Sequence, residues 1–575
     1  MQSDLPCGDI QVPRQAMWRM AILAMFLPAS VQAFELNIAD DHWKLNWDNT
    51  LTYNLGARVR DVNPLIGNNP AFHQAEHKFP NAGDVVTNRA SVLTEFNAIY
   101  QGRMGVRLSA SAWKDLAYDR DAATNPGTYA PGIPYSAIQA YPGGRYSSYT
   151  DRYYVQGAQL LDAFLFSNFE VAGKPTYLKL GQLTEYWGNA MFFPYQALSY
   201  SQGAIDGIKL ASSPGTDVKE LFIPRQQMSL TSQITPELAL SAQYFLGFTR
   251  NRLPEGGTFR GPVDFLFQGP SSMFAGAVPD GTGSFFPFSI PAGGANVPPK
   301  RNNNFGVKLA WTPSSMNGAV SAQYRKFDEV QPWSPLFNFG PGGLPTDYHL
   351  AYNQGAELFG VSVDTTLGQV STGLELSYRR NTALNSNGFN PAVPVQTEGA
   401  KGNTLNIVAN ALVPLSRTPL WDTGILAAEL AVTHLRDVTS NEALYNGVGR
   451  AGCVGGKWDG CSTRNYVAFA FKIEPQWLQV FPGVDLSAPI SDVIGVYGNS
   501  PSLEGGIYQG SHNFSVGLKA LIRQKTSITL AYNGAYYRTN GVTTTPSGLP
   551  LYSGGNGGFG LNDRNWISLT AQTSF

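Results

Sequence analysis

Between Trp43 and Arg60 apolar and polar side chains alternate. Trp43, Leu45, Trp47, Leu51, Tyr53, Leu55, Ala57 and Val59 take odd positions, and Lys44, Asn46, Asp48, Thr50, Thr52, Asn54, Arg58 and Arg60 take even ones. A period of two sends these sets to opposite faces of a strand. The run is longer than the roughly five or six residues typical of soluble sheets, and long enough for a tilted strand across a bilayer. The same alternation returns in Leu238–Phe248, Thr372–Tyr378, Phe514–Ile522 and the ending Trp566–Phe575, where Ile567, Leu569, Ala571 and Phe575 share one face.

Alternation alone fits a soluble sandwich or β-helix as well as a membrane barrel. The connections separate them. Short links are predicted at Gln101–Arg103, Ala172–Pro175, Thr235–Glu237, Leu367–Gln369, Pro475–Trp477 and Arg523–Lys525, with somewhat longer ones at Pro313–Gly318 and Pro414–Thr423. Long ones run over about 61–90, 115–157, 249–303, 328–356, 380–402, 436–465, 488–511 and 538–564. Short turns alternating with long loops are the habit of outer-membrane barrels, whose long loops face outward. If both chain ends face the periplasm, strand directions counted from each end allow a single connection between the strands at 175–183 and 226–234. The reading is therefore an all-β fold, a transmembrane antiparallel barrel of about 18 strands (range about 16–20). Residues 184–225 become one excursion on the external side, folded partly into the lumen and narrowing it, and Gly207–Ala211 within it is not a spanning strand.

Composition agrees. Charged residues are 14% of the 575, against roughly 25% in soluble proteins. The formal net charge of −1 excludes a basic nucleic-acid binder, and with 43% hydrophobic residues it excludes a disordered chain. Residues 1–33 read as an export signal: Arg14 and Arg19 precede the apolar run Met20–Leu27, and Val31 and Ala33 mark a cleavage site, with translation starting at Met1 or at Met17. Residues 34–575 then form one barrel domain in the outer membrane of a Gram-negative bacterium. Cys453 and Cys461 lie in a Gly-rich stretch of this exported chain and are expected to pair.

Little catalytic chemistry is visible, and the expectation is a protein that is not an enzyme and needs no cofactor or metal. The sequence contains no G-x-S-x-G, H-E-x-x-H, Walker A or C-x-x-C motif. His434, near Asp437, reads as a rim residue. His73 and His77 are four apart, but the Asn, Gly and Pro around them argue against a helix. Asp119 with Asp121, and Asp40 with Asp41, read as solvated turns. The polar residues that alternate with apolar neighbours are more informative: Asp48, Arg58, Glu95, Arg107, Asp162, Glu170, Lys179, Glu375, Arg379, Glu429 and Lys519. An Arg or Lys facing lipid costs about 2–4 kcal/mol near mid-bilayer, which places these residues toward the lumen. Salt bridges across the lumen are one role for them and contact with a solute another. The loop 249–303 carries Phe259, Phe265, Phe267, Phe274, Phe285, Phe286 and Phe288. These form either a landing surface for a greasy solute or the packing that orders the loop.

From about Phe34 to Phe575 the chain resembles a Gram-negative exported family known as domain of unknown function thirteen-oh-two. The matching blocks are Leu180–Gln182 with Trp187 and Gly188, Pro214–Pro224 (containing Lys219 and Glu220), Leu253–Thr258, Gly373–Arg379, Phe481–Leu486 and Asp563 through Trp566 to Phe575. After Trp-Gly the family usually continues Glu-Ser, whereas this chain has Asn189 and Ala190. The resemblance implies an outer-membrane barrel that accompanies machinery for hydrophobic compounds such as long-chain lipids or steroids, together with a periplasmic partner protein. Its most recognisable block, with Trp187, Pro214, Lys219, Glu220 and Pro224, falls in the segment singled out by strand direction. The ending, with Trp566 and Phe575, resembles the signal read by the barrel-assembly machinery. The expected partners are outer-membrane lipid, that machinery, a periplasmic protein and a hydrophobic or amphipathic small molecule, with no nucleic acid. Two roles follow: a conduit or binding barrel for such molecules, or a non-conducting structural component that docks the periplasmic partner.

Overall fold

The computed structural model describes residues 34–35 and 42–575, except 217, 300–302 and 504–505. The export signal and the Asp40–Asp41 pair lie outside the described residues.

Eighteen antiparallel strands close into one barrel. In chain order they are β1 (Trp43–Arg58), β2 (Val85–Tyr100), β3 (Met104–Asp115), β4 (Gln156–Val171), β5 (Lys174–Leu183), β6 (Arg225–Thr235), β7 (Leu238–Phe245), β8 (Phe305–Trp311) and β9 (Gly318–Phe327). The second half comprises β10 (Ala356–Leu367), β11 (Val370–Ala383), β12 (Lys401–Pro414), β13 (Thr423–Ser440), β14 (Asn465–Phe481), β15 (Val484–Ser487 and Ile490–Tyr497), β16 (His512–Ile522), β17 (Thr526–Tyr536) and β18 (Trp566–Ser574). Each pairs with its sequence neighbour, and β1 pairs with β18 from Thr50↔Ser574 to Arg58↔Trp566. Phe575 extends that seam, exchanging backbone hydrogen bonds with Asn49 at 2.8 and 2.9 Å. Closure leaves no open edge, so every strand can pair its backbone inside hydrocarbon.

The faces sort as the alternation requires. Trp47, Leu108, Leu180, Met228, Val307, Val361, Leu374, Leu376, Ile407, Leu430, Leu518 and Leu530 are large, exposed and outward. Their polar neighbours Thr52, Asn54, Ser229, Gln323, Ser362, Glu375, Asn406 and Glu429 are buried on the inner face. An exposed apolar belt around a polar interior is stable only with acyl chains outside, so the protein is an outer-membrane barrel.

Two expectations are corrected. The short turn placed at Pro475–Trp477 lies instead at Pro482–Gly483, because β14 continues past Pro475, which sits in the ladder opposite Gly424. His73–His77 is a short α-helix despite its surroundings. Its first N–H groups are capped from a distant loop: Gln74 and Ala75 donate to the Asp264 carboxylate at 2.7 and 3.0 Å, which satisfies donors that a helix start otherwise leaves orphaned. Trp566 turns inward, opposite the face of Ile567 and Leu569, and is 3% exposed in an aromatic cluster with Phe79, Tyr118, Tyr154 and Phe259.

The long loops fold on one another at the external mouth. The loop between β7 and β8 contains the hairpin Ser272–Pro279/Phe285–Pro291, and that between β9 and β10 the hairpin Pro332–Phe339/Pro345–Tyr352. Phe259 and Phe265 pack in these clusters, and Phe274 packs edge-on against Tyr129, whereas Phe286 is exposed. Packing therefore accounts for most of the aromatic loop. Beside the seam, Arg58 reaches Glu76 at 2.8 Å and Asp563 at 3.1 Å, and Arg564 also pairs with Glu76. Burial pushes the Glu76 carboxyl up, but the Arg564 and Arg58 guanidiniums outweigh it and hold it below its ordinary value. Cys453 and Cys461 are joined within the loop between β13 and β14.

Candidate functional site

Residues 184–224 leave β5 and return at β6 without adding a strand to the barrel. Their partners are inner-face side chains, so the segment lies within the barrel. Its first half binds the β9–β13 wall. Glu375 on β11 accepts the N–H groups of Asn189 and Leu198 at 2.5 and 2.7 Å. Glu429 on β13 accepts those of Met191, Phe192 and Phe193 at 2.6–2.9 Å. Arg379 donates to the carbonyls of Tyr195 and Ala197 at 2.6 and 2.9 Å, and Arg325 on β9 to those of Leu198 and Tyr200 at 2.7 and 2.6 Å. An irregular chain carries unpaired backbone groups that must find partners when buried. Here the wall supplies them with charged side chains, which make stronger hydrogen bonds than neutral ones.

Gly188 allows a close approach to the wall. Its φ of +129° is poorly open to other residues, and a Cβ there would lie 2.6 Å from a Glu375 oxygen. The family-block residue Trp187 is 4% exposed, its N–H donates to Gln202 at 2.6 Å, and its ring covers Gly306 on β8.

The second half crosses to the opposite wall. A short helix, α1 (Gly207–Ser212), is capped by Asp206, which accepts from the Lys209 N–H at 3.0 Å. Arg252 grips the same Asp206 at 2.8 Å. Lys209 and Glu220 form a buried pair at 2.8 Å, and the Lys209 ammonium lies 5.5 Å from the Trp113 ring centre. The Pro214 carbonyl accepts from Thr570 on β18 at 2.9 Å. Lys219, half exposed, pairs with Glu95 on β2. Pro224 is buried where the chain re-enters the wall. Strands β2 and β11 are nine apart in a ring of 18, so the segment reaches between opposite sides of the lumen.

The remaining sequence-derived residues sort by position. Arg107 bridges Glu95 at 2.5 Å and Asp162 at 3.0 Å. Lys179 pairs with Glu185, at the segment's start, at 3.4 Å. Arg58 belongs to the mouth network. Asp48, Glu170 and Lys519 lie on inner faces nearer the short turns. Between Asp162 and the turn at Ala172–Gly173 the wall becomes aromatic: Phe164, Phe166 and Tyr177 face inward with neighbouring ring centres 6.3 and 6.2 Å apart. Arg325 and Arg225, which donates to the Ser201 carbonyl at 3.1 Å, are anchors missing from the sequence-derived set. The signal for both was present, since each alternates with outward-facing neighbours as Arg379 does. His434 meets Asn465 at 2.7 Å rather than a catalytic partner. Among the described residues, no three His, Cys, Asp or Glu are placed to hold a metal.

The architecture is that of an outer-membrane β-barrel whose lumen is crossed by one wall-anchored connection. The chain belongs to the family described as Protein of unknown function (DUF1302), whose model matches residues 15–575. No curated protein matches it. Among solved structures it is similar to the outer membrane channel DcaP of Acinetobacter baumannii, at 9% identity and a TM-score of 0.36 over 95% of this chain and 100% of that one. It is also similar to OccAB1 of Acinetobacter baumannii (10% identity, TM-score 0.40, 95% and 99% covered). A third is a BenF-like porin from Pseudomonas fluorescens Pf-5 (8% identity, TM-score 0.39, 92% and 98% covered).

Proposed function

We propose that this barrel is a selective conduit for amphipathic or hydrophobic small molecules across the outer membrane, with residues 184–224 as its constriction. The observation that carries the reading is the unequal crossing of the lumen. One half of the segment is built into the wall through buried carboxylates and guanidiniums, while the other meets β2 through the half-exposed Lys219. A barrel of 16–18 strands is otherwise wide enough for an aqueous channel. Beyond the crossing, Phe164, Phe166 and Tyr177 stand beside Arg107, Asp162 and Lys179, a mixed surface suited to a molecule with an apolar body and a polar end.

The second reading, a non-conducting component docking a periplasmic partner, has its own support: Ile208 of the segment packs into the mouth cluster, so the external loops rest on the crossing. Planar-bilayer recording separates the two. The conduit reading expects small, noisy conductance from the native barrel. It expects a several-fold increase when residues 186–222 are replaced by a short Gly-Ser linker. Because a large deletion can fail to assemble, Lys219→Ala is recorded beside it. Silence from native and Lys219→Ala barrels, both properly folded, discards the conduit.

A further inference from the structure

Between the loop joining β7 to β8 and the hairpin Pro332–Phe339/Pro345–Tyr352 lies a cavity of about 190 Å³ at the external mouth. At roughly 30 Å³ per water in the liquid it holds about six waters, enough for a polar group and the first ring or few carbons behind it. Its apolar lining comes from Leu266, Phe267, Pro270 and Leu350, and its single cation is Arg250. Arg250 lies beside the Tyr352 hydroxyl, and none of the ion pairs among the described residues uses it, whereas Arg252, two positions on, is engaged by Asp206. The histidine and aspartate nearby are already engaged: His349 meets Asp347 at 2.9 Å and the Gln396 carbonyl at 2.7 Å, and Asn338 donates to the same Asp347. Tyr348, 3% exposed, is one of the lining residues, and its hydroxyl is buried without a hydrogen-bond partner. Buried polar atoms are rarely left so without a reason.

We infer that this cavity is an external binding site for the anionic end of an amphipathic molecule, a carboxylate or sulfate held by Arg250 with its apolar part on Phe267, Leu266 and Leu350. A planar guanidinium binds such oxyanions through two parallel hydrogen bonds. Burial pushes the Glu255 carboxyl, whose charge Arg250 would otherwise feel, up to about 8, so at neutral pH it is mostly uncharged and does not compete. The site also adjoins the crossing segment. Asn251, next in the chain, accepts the Ile205 N–H at 2.8 Å and donates to Gln331 at 2.9 Å, so a solute captured at Arg250 sits one residue from a side chain that holds the segment. This deepens the conduit reading and rests on it for its physiological meaning, but the binding itself is measured independently.

The test is isothermal titration of the full barrel, held in amphipol, with 4-butylbenzoate and with 4-butylbenzyl alcohol. The expected result is saturable binding of the acid that weakens about tenfold in Arg250→Ala, the usual scale for one charge-assisted contact. Arg250→Lys should keep part of it, and the alcohol should be insensitive to both changes. Ala295→Phe, which fills the cavity from its lining, should abolish binding of both compounds. Heat-modifiable mobility confirms that each variant is folded. Acid affinity unchanged in Arg250→Ala and in Ala295→Phe overturns the site. A barrel that conducts but shows no Arg250-dependent binding removes this site and leaves the conduit. One that binds in this way but never conducts keeps the site and removes the conduit.

Discussion

The two halves of the crossing segment are held by different physics. From Asn189 to Ser201 the chain has no regular structure, yet its backbone is satisfied by Glu375, Glu429, Arg325, Arg379 and Arg225, each buried to 2% exposure or less. From Gly207 to Leu221 it forms its own short helices, and its contact with β2 is a charge pair in which Lys219 remains half exposed. A buried charge that has lost its partner is costly, whereas an exposed ion pair is worth about 0–1 kcal/mol. The first half is therefore part of the wall. The second has buried anchors of its own, the Lys209–Glu220 pair and Thr570 on the Pro214 carbonyl, but its contact with β2 is the weaker, half-exposed Lys219, which suits a constriction that must let something pass.

The most severe test of this contrast is Glu429→Ala. It strips the acceptor from three successive N–H groups, Met191 to Phe193, each a hydrogen bond to a charged partner. A loss of about 3 kcal/mol or more is expected, seen as a lower urea midpoint of heat-modifiable barrel and faster proteolysis within 184–201. Glu375→Ala should act in the same direction through Asn189 and Leu198. If either variant matches the native barrel in both measurements, the first half is not wall-bound and the contrast fails. Phe575→Ser probes a separate support of comparable weight. It removes the terminal aromatic beside the β1–β18 seam, and impaired assembly, read as a reduced yield of heat-modifiable barrel, is the expected outcome.

A different effect comes from pH, acting on the external loops, whose aromatic cluster includes Ile208 of the second half. Burial raises the Asp563 and Asp264 carboxyls to about 7 and Glu255 to about 8. A raised acid binds its proton more tightly folded than unfolded, so the native loops hold more protons than unfolded ones between about pH 4 and 8. Stability from these groups is then complete below the ordinary carboxylate range and falls as pH rises toward 7–8, a tenfold difference in proton affinity being worth about 1.4 kcal/mol. Glu76, held below its ordinary value, acts only at lower pH and leaves this window untouched. Hydrogen exchange should show the mouth loops better protected at pH 5 than at pH 8.5, with 189–201 unchanged. Equal protection at both pH values would leave the mouth cluster unconnected to these carboxyls.

Much of this was legible in the sequence, for a physical reason. A membrane strand must alternate, so a two-residue period exposes the wall directly, and antiparallel pairing turns a count of short turns into strand directions. That reasoning allowed only one connection from Leu183 to Arg225. The inner-face positions of Glu375, Arg379 and Glu429 follow from the same alternation, but their partners do not, because a carboxylate that accepts backbone N–H groups leaves no mark on the segment it binds. The His73–His77 helix was hidden for a related cause: its capping carboxylate, Asp264, is 190 residues away. Pro475 misled because a proline in the ladder looks like a turn unless its partner strand is known.

The gentlest perturbation discriminates best. Lys219→Ala removes one half-exposed ammonium from Glu95, leaving Arg107 to satisfy that carboxylate at 2.5 Å. The stability change should stay within about 1 kcal/mol, too small for the urea midpoint to resolve easily. Conductance should change more, because a weaker contact between Lys219 and β2 moves the segment toward arrangements in which the lumen is wider. Added salt should mimic the substitution in the native barrel, since screening weakens exposed pairs while leaving the buried anchors intact. It should have little further effect on Lys219→Ala once the bulk rise in conductivity is removed. A salt response of the same size in both proteins would show that the Lys219–Glu95 pair does not hold the second half, and the distinction between a fixed and a yielding half would then need another origin.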